Sequence, residues 1–121
     1  MKTGIIILGH GSRAAEALEQ LKKYGEMLKS EASYDIVEIA SLQFNQPDLP
    51  EAIKKVVDAG ADKIIIVPFF LYKGVHMQED IPEVLEGEKA KYPGLEIVMT
   101  NHLGTDRRLV EIIIDRIEEV S

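Results

Sequence analysis

Two histidines in this sequence each follow an apolar run and stand close to glycines. His10 lies in the segment LGHGSR (8–13), directly after the apolar run 5–7. His76 follows a second apolar run, 64–67, and is expected to lie in the loop after it, which contains another glycine. Neutral imidazole is the commonest metal ligand in proteins and exchanges protons near neutral pH. Two imidazoles in one cleft, in a chain without cysteine, indicate an open divalent-metal site rather than a closed structural one.

Each histidine taken alone has an ordinary alternative, which is a loop residue bonded to the backbone. The pair is more informative than either member because both follow apolar runs of the same kind. His102, in a later loop, is a candidate third ligand, but we expect it to be a surface residue. Four cations stand near predicted strand ends, where an anionic ligand can be held, namely Arg13, Lys73, Arg107 and Arg108.

The apolar pattern predicts the elements that bring the two histidines together. Strands and helices alternate, with strands at 3–9, 35–40, 63–68 and 95–100 and helices at 14–30, 49–58, 81–91 and 107–120. The predicted caps of the last three helices are Asp48, Asp80 and Asp106. Short connections between alternating elements predict a parallel sheet with right-handed crossovers. The chain is therefore expected to be one α/β domain, 1–121, with a four-stranded parallel sheet in the order 2-1-3-4 and helices on both faces.

The predicted strand order brings both histidines to one crevice. The first and third strands are the most apolar and should be central, so the order reverses direction between them. Ligands of such sheets bind outside the carboxyl ends of the strands at this reversal. His10 and His76 follow these two strands, and their convergence is a consequence of the pattern.

Composition narrows the classes of function. A net charge of −7 argues against non-specific nucleic-acid binding, which needs a basic surface. No apolar run approaches the roughly 18 residues that a membrane span requires. The apolar run at the start is shorter than that of a signal peptide, and cysteine is absent, so we expect a cytoplasmic protein.

The apolar segment 69–72 has three candidate roles: it closes the core, forms a wall for a flat ligand, or makes a subunit contact.

The glycines around His10 do not form a nucleotide-binding loop. This turn lacks the lysine and the spacing of a P-loop, which argues against nucleotide hydrolysis. A non-enzymatic binding module stays possible on the residues alone.

Four segments together resemble the CbiX-type class II chelatases, which are sirohydrochlorin cobaltochelatases with nickel- and iron-inserting relatives. The segments are LGHGSR (8–13), VPFFL (67–71), GVH with the following DIP (74–82), and LGTD (103–106). The resemblance runs in order over essentially the whole chain. It implies ATP-independent insertion of Co²⁺, or alternatively Ni²⁺ or Fe²⁺, into sirohydrochlorin during cobalamin or siroheme-type biosynthesis. The alternative is a non-catalytic module that binds metal or tetrapyrrole.

The resemblance also implies partners and site residues. It implies no organic cofactor, and a homodimer, because longer relatives contain two such halves in one chain. The metal-binding and catalytic histidines carry over onto His10 and His76. The expected substrate-binding residues are Ser12, Arg13, Gln43, Phe70, Leu71, Gly74, Val75 and Met77. At Gln43 many relatives carry glutamate, and an amide cannot accept a proton at neutral pH, so weight shifts to the histidines as proton acceptors.

Overall fold

Four strands and four helices alternate along the chain. The computed structural model describes residues 2–72 and 74–121, and for residues 75–78 it describes the backbone alone. The elements are β1 (Thr3–Gly9), α1 (Ala15–Ala32), β2 (Ile36–Ser41), α2 (Leu49–Asp58), β3 (Lys63–Pro68), α3 (Val75–Lys91), β4 (Glu96–Met99) and α4 (Arg107–Val120). The strands agree with the sequence prediction to within one residue at each end.

The sheet is parallel throughout and has the order β2-β1-β3-β4, which confirms the predicted topology. In β1, every residue from Gly4 to Gly9 is buried, as expected for a central strand covered on both faces. Gly9 pairs with Ser41 of β2, and Leu8 pairs with Pro68 of β3. The loops after these three strands therefore leave the sheet side by side, at its carboxyl edge.

Alternate residues of the central strands pack on opposite faces of the sheet. Ile6 and Leu8 belong to the main core, together with residues of α2 and α3. Ile7 belongs to a smaller cluster with Leu21 of α1 on the other face. Because side chains alternate along a strand, this arrangement fixes the register of β1 and the position of the loop that follows it.

Helix α2 begins with the capping that the sequence predicts. The Asp48 side chain accepts a hydrogen bond from the backbone N–H of Glu51, and the Glu51 side chain accepts one from the backbone N–H of Asp48. This reciprocal pair is a capping box, and Pro50 stands in the first turn where it removes no helical hydrogen bond. A β-bridge between Ser41 and Asp48 holds this start of α2 beside the end of β2.

Helix α3 begins earlier than the sequence predicts. The segment Asp80-Ile81-Pro82 suggests a helix start, but α3 begins at Val75, its N-cap is Gly74 and Pro82 lies inside it. No glycine or proline separates position 75 from position 80, so nothing interrupts the helix there, and Pro82 removes only one hydrogen bond. His76 therefore belongs to the first turn of a helix, and the prediction that it lies in a loop is wrong.

Helix α4 has the predicted apolar periodicity but does not cover the sheet. Asp106 caps it as predicted, by accepting a hydrogen bond from the backbone N–H of Arg108. None of its residues is buried, and Ile113 and Ile117 are 56% and 57% exposed. The periodicity correctly predicts an apolar face, but it cannot specify the surface that covers this face.

Within residues 2–72 and 74–121, no helix combines the length and apolar content needed to cross a bilayer.

Candidate active site

His10 stands directly after β1 and its imidazole is exposed. One face of the ring stacks on Phe70, with ring centroids 4.0 Å apart and planes inclined by 28°. Phe70 itself is 4% exposed and belongs to the main core. A buried ring is held in place by close packing, so it restricts the orientation of the imidazole stacked on it. The structure therefore presents one oriented imidazole at the carboxyl edge of the sheet.

Two cavities share His10. The larger has a volume of about 410 Å³ and the smaller about 230 Å³. The larger is lined by His10, Ser41, Leu42, Gln43, Asp48, Leu49, Pro50, Asp80, Ile81 and Val84. Clefts of this size at the strand-order reversal of a parallel sheet are where ligands of such folds bind. Two of the predicted site residues, His10 and Gln43, therefore line a cleft at this edge of the sheet.

The loop after β2 is fastened to the loop after β1. The backbone N–H of Leu42 donates to the carbonyl oxygen of Gly9 (3.0 Å), and that of Gln43 donates to the carbonyl oxygen of His10 (3.2 Å). The backbone N–H of Ser12 donates to Oδ1 of Asn45 (2.9 Å). These bonds place Gln43 in the same cavity as His10.

Gly11 permits this close approach of the two loops. Its φ is +89°, in the region that favours glycine, and a Cβ there would stand 1.7 Å from the carbonyl oxygen of Gln43. Both the backbone conformation and the lack of space therefore require glycine. The sequence motif shows the glycine, but it does not reveal that the loop after β2 is what approaches it.

Helix α3 brings its first turns to the larger cavity. Asp80 and Ile81 line the cavity, although the sequence suggests Asp80 only as a helix cap. Gly74, a predicted substrate contact, is exposed as the N-cap. Three further predicted residues, Val75, His76 and Met77, have side chains that lie outside the described residues, and so does Lys73.

The residues of the apolar segment 69–72 differ in their burial, which bears on its three candidate roles of core closure, ligand wall and subunit contact. Phe70 packs in the core, and Phe69 is half-buried against Tyr24 of α1, with ring centroids 4.8 Å apart. Leu71 and Tyr72 are 47% and 83% exposed. The first two residues therefore close the core beside His10, whereas the last two are available for contact with a ligand or another subunit.

Ser12 and Arg13 continue the turn beyond His10. Ser12 is half-buried, lines the smaller cavity, and its Oγ accepts a hydrogen bond from the backbone N–H of Ala14 (3.0 Å). The exposed guanidinium of Arg13 lies over the ring of Phe44, 4.8 Å from its centroid. Phe44 was not singled out in the sequence.

His102 lies apart from this site. It lines a different cavity, of about 460 Å³, together with Asp106 and Arg108. Arg108 donates hydrogen bonds to the Asp106 carboxylate through Nε and Nη2, at 2.8 and 2.9 Å. These side-chain bonds, with the Arg108 backbone N–H contributing less, hold the pKa of Asp106 well below its usual range. The Arg108 charge is thus engaged by its own helix cap.

The described residues supply few metal donors. Within residues 2–72 and 74–121, leaving out the side chains of 75–78, no three histidine or acidic side chains are grouped closely enough to hold a metal ion. His10 is the described imidazole that lines the two cavities at the carboxyl edge. The donor set described here lacks the four ligands of a closed structural site.

Comparison with known proteins adds the family. The sequence model of the CbiX family matches residues 4–120 of the chain. The chain belongs to the CbiX family. A CbiX relative, the sirohydrochlorin cobaltochelatase of Methanococcus aeolicus, is 39% identical over 93% of this chain and 95% of its own length. The chloroplastic sirohydrochlorin ferrochelatase of Arabidopsis thaliana is 34% identical over 95% of this chain and 51% of its own.

A solved structure shares the fold of this CbiX chain. The sirohydrochlorin chelatase SirB from Bacillus subtilis subspecies spizizenii, in complex with cobalt, has a TM-score of 0.92 and 29% identity. The match covers 99% of this chain and 51% of SirB. The chain therefore spans about half the length of SirB and of the plant relative, but nearly the full length of the archaeal one.

Proposed function

We propose that this protein is a lyase that inserts a divalent metal ion into sirohydrochlorin without ATP. The observation that carries the proposal is the exposed His10 imidazole, oriented by the buried Phe70 ring and facing the larger cavity. Membership of the CbiX family and the names of the relatives support the same reaction. The substrate is a flat macrocycle with carboxylates around its rim, and the open cleft suits such a shape.

The reaction exchanges two protons for one metal ion. Two pyrrole N–H bonds break, their electron pairs bind the metal, and the two protons pass to acceptors on the protein or in water. No electron or group is transferred in this balance, so the proposal includes no organic cofactor. His10 is proposed to hold the incoming ion through one nitrogen, with His76 as a second ligand from the first turn of α3.

Release of the metal sets the chemistry that the site requires. An ion held by two imidazoles keeps other coordination positions open and can pass to the macrocycle, whereas a closed shell of four ligands retains it. Gln43 contributes an amide that can accept a hydrogen bond but not a proton. We therefore assign proton acceptance to Asp80, which lines the same cavity, or to the histidine nitrogens that the ion vacates as it passes to the macrocycle.

Cobalt is the proposed metal, with nickel and iron as alternatives. An imidazole site by itself prefers nickel to cobalt and cobalt to iron, so affinity does not select cobalt, and supply and geometry must do so. The name of the Methanococcus relative supports cobalt, and the plant relative is named for iron. The cytoplasm is the proposed location, where tetrapyrrole substrates and reduced metal ions are available.

The functional unit is proposed to be a homodimer. Helix α4 exposes Val110, Ile113 and Ile117, at spacings that place them on one face. An apolar face of this length is ordinarily covered by another surface. SirB, of which the match covers 51%, is long enough to contain two such halves. Two copies of this chain would supply the equivalent of both.

The experiment that tests the reaction is an anaerobic absorbance assay with sirohydrochlorin and each of Co²⁺, Ni²⁺ and Fe²⁺. We expect catalysed conversion to the metallated spectrum over the rate without protein, with cobalt among the accepted ions. A binding module would instead change the spectrum once, in proportion to the protein, and give no turnover. No acceleration with any of the three metals would contradict the proposal.

A further inference from the structure

Phe44 adopts a backbone conformation that residues other than glycine rarely adopt. Its φ is +69°. The backbone N–H of Asn45 donates to the carbonyl oxygen of Gln43 (2.9 Å), which closes a three-residue turn centred on Phe44. A turn of this kind with positive φ is the rare and strained form. Aromatic residues are not among those that tolerate this region easily, so the conformation is unfavourable for Phe44.

The side chain of Phe44 gains little from burial in return. The residue is 57% exposed. Its described ring contact is the Arg13 guanidinium, 4.8 Å from the centroid. An exposed cation–π pair contributes little stability. Neither packing nor this pair offsets the strained backbone, so folding alone does not account for phenylalanine at this position.

Phe44 stands between the two cavities of the site. Gln43, immediately before it, lines the larger cavity, and Asn45, immediately after it, lines the smaller one. His10 lines both. The strained turn therefore places Phe44 at the boundary between the two cavities that share His10, the residue proposed to hold the metal.

Arg13 retains its capacity to bind an anion. Over the part of the chain that the structure describes, the Arg13 guanidinium has no ion-pair partner and donates no hydrogen bond; its contact is the Phe44 ring. A guanidinium stacked on a ring still presents its N–H donors at its edge, in a fork that matches a carboxylate. In a protein with a net charge of −7, such a local cation is what an anionic ligand requires.

We propose that Phe44 and Arg13 form a docking pair for the tetrapyrrole, in which the Phe44 ring packs against the macrocycle and the Arg13 fork binds one rim carboxylate. The inference rests on the proposed function and names Phe44 as a further substrate-positioning residue. The two side chains act together, because the ring that contacts the macrocycle also holds the guanidinium in place. The strained turn is retained because it aims the ring.

The test separates substrate binding from stability. Asparagine accepts positive φ far better than phenylalanine, so Phe44→Asn should have a Tm equal to or above that of the parent. Its KM for sirohydrochlorin should rise about three- to tenfold, the range expected for loss of aromatic contact, while kcat stays within about twofold. Phe44→Tyr should retain the parent KM. Tyr34→Leu, an exposed aromatic before β2 at the other edge of the sheet, is the matched control and should change neither constant.

Direct binding of metal-free sirohydrochlorin, followed by absorbance, makes the result independent of turnover. Arg13→Gln should weaken binding, and the double variant should lose less than the sum of the two single losses, because the residues act as a pair. Unchanged affinity and KM in Phe44→Asn would overturn the inference, as would a lower Tm with unchanged KM. Conversion to a monomer would equally overturn it, since Phe44 would then be a subunit contact. A parent that binds the macrocycle through Phe44 but inserts no metal would contradict the proposed function alone.

Discussion

At the scale of single residues, the site depends on close contact between two loop backbones. The carbonyl oxygen of Gln43 occupies the space that a side chain at Gly11 would need, with a gap of only 1.7 Å to the position of a Cβ. The same approach brings Gln43 beside His10 in the larger cavity. The geometry around the imidazole is therefore set by main-chain atoms as well as by the Phe70 ring.

Gly11→Ala tests this contact. The positive φ alone should cost about 1–3 kcal/mol of the free energy of unfolding, and the clash with Gln43 should add to that loss. Chemical denaturation measures the change. Gly87→Ala is the matched control, because Gly87 lies inside α3 with open space around it, and alanine there should stabilise by about 0.5–1 kcal/mol. Equal stability in the two variants would contradict the described loop contact.

At the scale of elements, the apolar pattern of the sequence is sufficient to predict the strand order of the sheet. Continuous apolar runs at 5–7 and 64–67 correctly predict the two central strands and hence the order of all four. A strand that is buried on both faces consists almost entirely of apolar residues, so its central position can be predicted from the sequence. The meeting of the loops after β1 and β2 follows from that order.

The start of α3 and the turn at Phe44 could not be predicted from the sequence in this way. Asp80-Ile81-Pro82 resembles a helix start, yet α3 begins at Val75, because a proline inside a helix and one in its first turn look alike in sequence. The strained turn at Phe44 is equally hidden, since phenylalanine does not signal positive φ. The Phe44 turn is tied to a distant segment, since Asn45 next to it accepts a hydrogen bond from the backbone N–H of Ser12, whereas the start of α3 is a local ambiguity of the sequence.

The start of α2 offers a prediction at the same scale. Asp48→Ala removes the side chain that accepts from the Glu51 backbone N–H and should lower the free energy of unfolding by about 0.5–2 kcal/mol. Asp48→Asn keeps an effective cap and should remain close to the parent. Thermal unfolding followed by circular dichroism compares the two. If both variants lost the same stability, the capping box would not be what holds this helix start.

At the scale of the whole molecule, α4 is the element that the single chain leaves incomplete. Its apolar side chains follow the spacing of an amphipathic helix, yet none of them is buried. The apolar periodicity predicts that this face is covered, but it does not specify which surface covers it. The proposed second copy accounts for this face without any change in the fold of the chain.

Sedimentation equilibrium at micromolar concentration tests the proposed dimer. The parent should have about twice the chain mass of 13.5 kDa. Ile113→Glu with Ile117→Glu places two charges on the apolar face and should give a monomer, because burying unpaired charges is costly. Glu118→Gln, on the same helix but at a polar position, should remain dimeric. A monomeric parent would contradict the proposed homodimer.

The account as a whole depends most on His10 as the group that delivers the metal. The decisive measurement is the initial rate of anaerobic Co²⁺ insertion at saturating sirohydrochlorin, for the parent, His10→Ala and His102→Ala. Because His10 is exposed and His102 lines a separate cavity, both variants should fold, as circular dichroism can verify. His10→Ala should lose about a hundredfold or more in rate, since loss of even an outer contact to a metal ligand costs 10–100-fold, and His102→Ala should lose less than about tenfold. A folded His10→Ala variant that inserts cobalt at the parent rate would contradict the account.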